Sequence, residues 1–256
     1  MLIFIIVLIF IGLSAGLAWF LIAHDKGQRE PVGALWGAFG FGFLGAIIAG
    51  IVEAVLIPEK NLLVSSVGLR TVFVSAIGVG VIEETCKFLP LALFIFKKPY
   101  FNEHSDGVIF FALAGMGFGL PENILYTLQF GGQAGIARII LTPFFHAAIT
   151  AMVGYFFARV KLKRKNPLAI APFLGLAMLL HGLYDFGLAS GVGLFALFSV
   201  CITFGLTAAL FVLYLKATDS DQDQGLSVVG NNSFCRSCGA PNPKHLLYCT
   251  RCGKIA

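Results

Sequence analysis

Seven long apolar runs take up most of the chain, and they leave one class of fold open. They fall at roughly 1–23, 32–57, 70–96, 107–130, 138–160, 167–188 and 192–216. A helix needs about 20 mainly apolar residues to cross the hydrocarbon of a bilayer, and each run meets that length. Backbone polar groups in lipid must be satisfied within the segment, so such runs become helices. Charged residues make up only 12% of the chain, about half the share of a soluble domain. The expected fold class is an all-α polytopic membrane protein with about seven transmembrane helices, set in a lipid bilayer. The first run has no basic start and is too long for a signal-peptide core, so it reads as a spanning helix. A net charge of +5 gives no reason to expect a nucleic-acid partner.

Lysine and arginine in short loops collect on the cytoplasmic side. Lys26, Arg29, Lys97, Lys98, Lys161, Lys163, Arg164, Lys165 and Lys216 fall on one side, against Lys60, Arg70 and Arg138 on the other. This places the N-terminus outside and the C-terminus in the cytoplasm. Residues 217–231 are polar and acidic without periodicity and read as a flexible linker. The expected domains are thus a membrane domain over 1–216, a linker over 217–231 and a small module over 232–256.

That module carries Cys235-x2-Cys238 and, ten residues on, Cys249-x2-Cys252. Paired thiolates at this spacing suit one tetrahedral zinc ion, and glycine after the second cysteine of each pair permits a tight turn. About 25 residues cannot bury a core, so a structural Zn2+ would supply the folding energy of a C-terminal zinc ribbon. A reducing cytoplasm disfavours the alternative of two disulfides. Its expected role is structural or the docking of a cytoplasmic protein partner. Cys86 and Cys201 lie singly in apolar spans and read as core residues.

Several ionisable groups lie inside the apolar runs, where each costs about 2.5–3.5 kcal/mol even on lenient scales. The third run holds Glu83, Glu84 and Lys87; Glu83 and Lys87 are four apart and share a helix face. The fourth holds Glu122 and Asn123 just after Pro121, whose missing N–H kinks a helix, and glycines at 115, 117 and 119 allow a neighbour to pack closely. His146 lies in the fifth. His181 and Asp185, four apart near the end of the sixth, could pair so that the carboxylate orients the imidazole. A rise of 1.5 Å per residue puts all of these at overlapping depths, in the middle or outer half of the bilayer. The expectation is one shared polar cavity. Glu53, near the outer end of the second run, reads as interfacial or as a helper.

These residues resemble the motifs of the PrsW family of intramembrane proteases. EETCK at 83–87 resembles its E-E-x-x-K motif, GFGLPEN at 117–123 its F-x-x-x-E-N motif, and HGLYD at 181–185 its final motif, with His146 where the family has a histidine. The order and spacing agree from about 80 to 190. The family is related to the CAAX prenyl endopeptidases, whose second motif ends in His where this chain has Glu122; that difference favours PrsW. The resemblance implies an endopeptidase of a prokaryotic cell membrane acting on a membrane protein substrate, by analogy an anti-sigma factor cut on its outer side.

Two mechanisms suit such a cavity. In one, Glu83 or Glu84 takes a proton from water, His181 or His146 stabilises the oxyanion or protonates the leaving amine, Lys87 balances charge, and Glu122 and Asn123 position water or peptide. In the other, two histidines and a glutamate hold a catalytic Zn2+. No H-E-x-x-H is present, and only Asp185 could serve an aspartyl type. A proton-coupled transporter would also bury acids and histidines, but the paired broken helices of such folds are not evident. A non-catalytic scaffold recruiting partners through the ribbon is the third alternative.

Overall fold

The computed structural model describes residues 2–27, 29–57, 68–163 and 165–223, and in the tail 232–235, 238–239, 241–243 and 249. Among them the expected spans appear as α1 (Leu2–Ala23), α2 (Val32–Leu56), α3 (Leu69–Phe94), α4 (His104–Phe130), α5 (Gly132–Leu162), α6 (Ala171–Ala189) and α7 (Gly193–Asp223). Six of these are long and apolar enough to cross a membrane. The seventh, α3, is 26 residues long but carries Arg70, Glu83, Glu84 and Lys87. Its expected role as a span therefore rests on the cavity that its acids face.

The hairpin of α4 and α5 forms the centre. Over an 18-residue apolar stretch of each, 72% and 83% of residues are buried, against 17–28% in the other four apolar spans. The hairpin turns on Gly131 alone, at φ +85°, a left-handed value that suits glycine. This tight reversal starts α5 at Gly132, six residues ahead of the expected 138, so Arg138 lies within a helix rather than a loop. Around the hairpin, α1 packs on α4 and α5, α2 on α4 and α3, and α7 on α5, α6 and α4, while α3 pairs with α6. Large apolar side chains such as Trp19, Val55, Val74, Leu93 and Phe204 point outward, where hydrocarbon would cover them.

Close approach of α3 and α6 depends on glycine. A Cβ on Gly80 would stand 2.5 Å from the Met178 carbonyl oxygen and 2.7 Å from the Gly182 nitrogen. Backbone cannot move aside as a side chain can, so Gly80→Ala should force the helices apart. The expected cost is about 1–3 kcal/mol, read as a lower melting temperature in detergent. Gly16→Ala, where nothing lies within 4 Å, should leave the melt unchanged or slightly raised.

α7 runs seven residues beyond the expected boundary at 216, so the first part of the expected linker is helix. The cause is a long-range cap. The Asp221 carboxylate accepts from the His104 and Ser105 amides at 2.7 and 2.9 Å and lies 2.6 Å from His104 Nδ1. It thereby satisfies orphan donors at the positive end of α4, alongside a capping box between Glu103 and Asp106. Other acids crowd this end. Burial pushes the Asp25 carboxyl from an ordinary 3.8 to about 6, and burial followed by the facing Asp106 holds Glu30 well above the usual range. The folded chain thus keeps a proton on Asp25 that the unfolded chain has released. Its contribution to stability is full below about pH 4 and is lost as pH rises through about 6. Wild type should melt higher at about pH 5 than at about pH 7.5, and Asp25→Asn should narrow that gap by raising the melt at the higher pH.

In the tail, β1 (Asn232–Phe234) and β2 (Pro241–Pro243) pair antiparallel.

Candidate active site

Four helices deliver the expected side chains to one point, and the Lys87 ammonium marks it. Lys87 Nζ lies 2.8 Å from Glu84 Oε1 and 3.2 Å from Glu83 Oε2 on its own helix, and 3.1 Å from His146 Nδ1 on α5. The His181 Nδ1 of α6 is 3.5 Å away, and the Phe118 ring of α4 faces the ammonium at 4.0 Å. Lys87 and Glu84 are each 1% exposed. A lone buried charge is untenable, so the ammonium and the carboxylates hold one another in place.

The imidazoles bridge these charges to the rest of the site. His181 Nδ1 meets Glu84 Oε1 at 2.7 Å, while its Nε2 is 3.3 Å from Glu83 Oε2 and 3.5 Å from Asp185 Oδ2. The pairing of His181 with Asp185 inferred from their spacing is therefore the longest of its three carboxylate contacts. Glu84, reaching across from α3, holds the ring more tightly than its neighbour on the same helix. His146 Nε2 meets Glu122 Oε2 at 2.7 Å, so His146 links Lys87 to Glu122. Its ring is seated because α4 comes close at Gly115, where a Cβ would stand 2.2 Å from the His146 carbonyl oxygen. Phe145 stacks on Tyr184 at 3.8 Å and meets His181 edge-on, fixing α5 against α6.

Asn123 is adjacent but turned to a different task. Its amide donates to the Gly119 carbonyl at 2.7 Å and accepts from Thr142 Oγ1 at 2.9 Å. The first bond lies within α4 beside Pro121, and the second ties α4 to α5. One participant escaped the sequence reading, and another was left without a role. Phe118 lies within the recognisable GFGLPEN segment, but an aromatic among many gives no signal of a cation beneath it. Glu53, read as interfacial or as a helper, lies within electrostatic reach of Glu122, Asp185 and Lys87. Its only signal was an acid in an apolar run.

The donors suit a metal as well. One ligand atom each from Glu83, His146 and His181 lies within 4.8 Å of the others. Two imidazoles and a carboxylate are a recurrent zinc set. Glu53, Glu122 and Asp185 lie within electrostatic reach of the Glu83, Glu84 and Lys87 group.

In the tail the sulfurs of Cys235, Cys238 and Cys249 lie within 4.8 Å of one another, with Cys238 and Cys249 at 3.6 Å. A tetrahedral zinc with bonds of about 2.3 Å spaces its sulfurs by about 3.8 Å. Gly239 turns at φ +68° and donates its amide to the Cys235 carbonyl at 2.9 Å, forming the expected knuckle. Cys252 lies outside the described residues.

The sequence profile of the PrsW family of intramembrane metalloproteases matches residues 30–215, which include every residue of the membrane site and none of the tail cysteines. Protease PrsW of Bacillus subtilis is 29% identical over 181 residues, spanning 68% of this chain and 79% of that protein. Protease PrsW of Geobacillus kaustophilus is 31% identical, over 70% of this chain and 78% of its own length. That of Clostridioides difficile is 28% identical, over 69% and 75%. No solved structure matches. With the motif residues gathered on one buried point and the family's profile running through all of them, the chain belongs to the PrsW family of intramembrane proteases.

Proposed function

We propose that the membrane site hydrolyses a peptide bond in the outer half of the span of a membrane protein, with Glu83 as the general base. The supporting observation is the division of labour between the two adjacent glutamates. Glu84 Oε1 is engaged by both Lys87 and His181 at 2.8 and 2.7 Å. Glu83 makes looser contacts at 3.2 and 3.3 Å and is the more exposed of the two, at 5% against 1%. A base must turn from its resting partners to take a proton from water, and the longer contacts of Glu83 make it the more available of the two. Glu84 then orients His181, which protonates the leaving amine or donates to the oxyanion. His146, held between Lys87 and Glu122 through both ring nitrogens, lies 5.5 Å ring to ring from His181 and would share its role where the substrate takes over the Glu122 contact. Lys87 keeps the paired carboxylates compatible with burial. Asn123 sets α4 against α5 and so places Glu122.

Glu83, His146 and His181 would hold a catalytic zinc ion, which would supply Lewis-acid polarisation of the carbonyl and a more acidic water. Glu83 would then be a ligand, and the part of the base would fall to Glu122, 2.7 Å from His146, with Glu84 engaged by Lys87 and His181. The tail cysteines, with Cys252, would hold a structural zinc in a cytoplasmic ribbon that docks a protein partner. The substrate class is a single-span membrane protein of the anti-sigma-factor type, with the N-terminus of this chain outside. The test is reconstitution of the full chain with single-span membrane proteins of its host: wild type cuts one or more near the outer face, and Glu83→Gln cuts none. A substrate processed equally by both would remove Glu83 from the chemistry.

A further inference from the structure

The geometry points to the groove between α1 and α2 as the seat of the substrate's transmembrane helix, an inference that rests on the protease reading above. α1 leans on α4 and α5 and α2 on α4 and α3, and the two barely touch each other. Between them opens a cavity of about 560 Å³, floored by Met116 and Leu120 of α4, walled by Ser14 and Ala18 of α1 and by Trp36 of α2, and closed at one end by Phe10. It is open toward the lipid side, where Trp36 is 67% exposed.

Three features favour a helix as the occupant. The α1 wall is made of small residues, Ser14, Ala15 and Ala18, which let another backbone approach closely in a membrane. Ser14 is only 7% exposed, and its Oγ, in this otherwise apolar groove, has no hydrogen-bond partner among the described residues. An acyl chain has nothing to offer that hydroxyl at such depth, whereas a transmembrane helix brings backbone carbonyls and small polar side chains. The groove also leads to the chemistry. The Phe10 ring and the His146 imidazole crowd the same point, 3.3 and 2.9 Å from where a Cβ of Gly119 would stand.

The stretch of α1 from Phe10 to Ile22 that lines the groove is about 18 Å long, roughly half the hydrocarbon thickness. It runs from the end where α1 passes into α2 up to Phe10. A helix lying in it would keep that half docked and carry its next residues past Phe10 to Glu122 and His146. The groove would thus fix which end of the span is cut: with the orientation proposed above, the outer end.

Trp36 provides the probe. The full chain with Trp19→Phe, so that Trp36 is the sole tryptophan, is placed in phosphatidylcholine–phosphatidylglycerol vesicles. It is titrated with a lysine-flanked leucine–alanine peptide of one span, bearing a bromophenylalanine at its centre. The expected result is saturable quenching, reversed by unbrominated peptide and weakened about tenfold or more by Ala18→Phe and by Ser14→Leu. The second variant fills the groove with less bulk should the first disturb folding. Quenching that grows linearly with peptide density and ignores both variants would overturn the inference. So would quenching by brominated phosphatidylcholine that the peptide does not relieve, which makes the occupant a lipid, or quenching lost only on dilution of the protein, which makes it a second copy. Saturable binding without any Glu83-dependent cutting would leave the groove standing and remove the protease reading; cutting without groove binding would do the reverse.

Discussion

Lys87→Met should destabilise the folded chain by about 3–5 kcal/mol, the usual loss when one partner of a buried ion pair is removed. The ammonium is wholly enclosed and is the only lysine or arginine charge within 4 Å of Glu83 and Glu84 among the described residues. Methionine has similar reach and would fill the space, so the loss reflects charge rather than a cavity. The two carboxylates would then face each other and Glu122 without compensation, and the His146 ring would lose its contact at 3.1 Å. The measurement is thermal melting in detergent, with exposed Lys97→Met as the control expected to shift stability by no more than about 0.5 kcal/mol. Adding Glu83→Gln to Lys87→Met should recover part of the loss, because one fewer buried charge is left unpaired. Single and double variants together give the coupling between the two groups. A Lys87→Met chain that melts with wild type would mean that the acids balance one another without the ammonium, and the site described here would be wrong at its centre.

Much of this arrangement was legible in the sequence because burial in lipid is so costly to charge. Glu83, Glu84, Lys87, Glu122, His146, His181 and Asp185 stand out against their apolar surroundings, and span bounds with the helix rise put them at overlapping depths. Pairing across helices was not legible. The i,i+4 spacing suggested Asp185 as the partner of His181, yet the helix-to-helix contact at Gly80 and Gly182 brings Glu84 closer. The part played by glycine was visible at 115, 117 and 119 only as permission to pack; which helix accepts each one is tertiary information. The end of the last span was misplaced for a related reason. Residues 217–223 are polar and lack periodicity, so local signals read as linker, whereas Asp221 is held by the start of a helix more than a hundred residues earlier. Six spans announced themselves by composition, but α3 did so despite its composition. Its acids lower its apolar character because they are the reason the helix is there.

Glu83→Gln should lower the rate of substrate cleavage by about 10²–10⁴-fold, the range for loss of a general base, with the melting temperature nearly unchanged. Glutamine keeps the size and the oxygen that faces Lys87 at 3.2 Å, but it cannot hold the proton taken from water. Glu84→Gln should behave differently. Its Oε1 is the acceptor for both Lys87 and His181, and hydrogen bonds to a charged group are worth about 1.5–3 kcal/mol each. That variant should lose measurable stability together with a smaller share of the rate, because His181 loses orientation while the base remains. Cleavage and melting measured on the same preparations separate the two roles, and bound metal measured beside them adds a third readout. If Glu83→Gln loses activity and a bound ion together, Glu83 is a ligand and the base is sought at Glu122, which lies 2.7 Å from His146, because Glu84 is already engaged by Lys87 and His181. If Glu84→Gln is inert and Glu83→Gln is active, the two glutamates exchange roles. Full activity in both would move the chemistry away from α3 altogether.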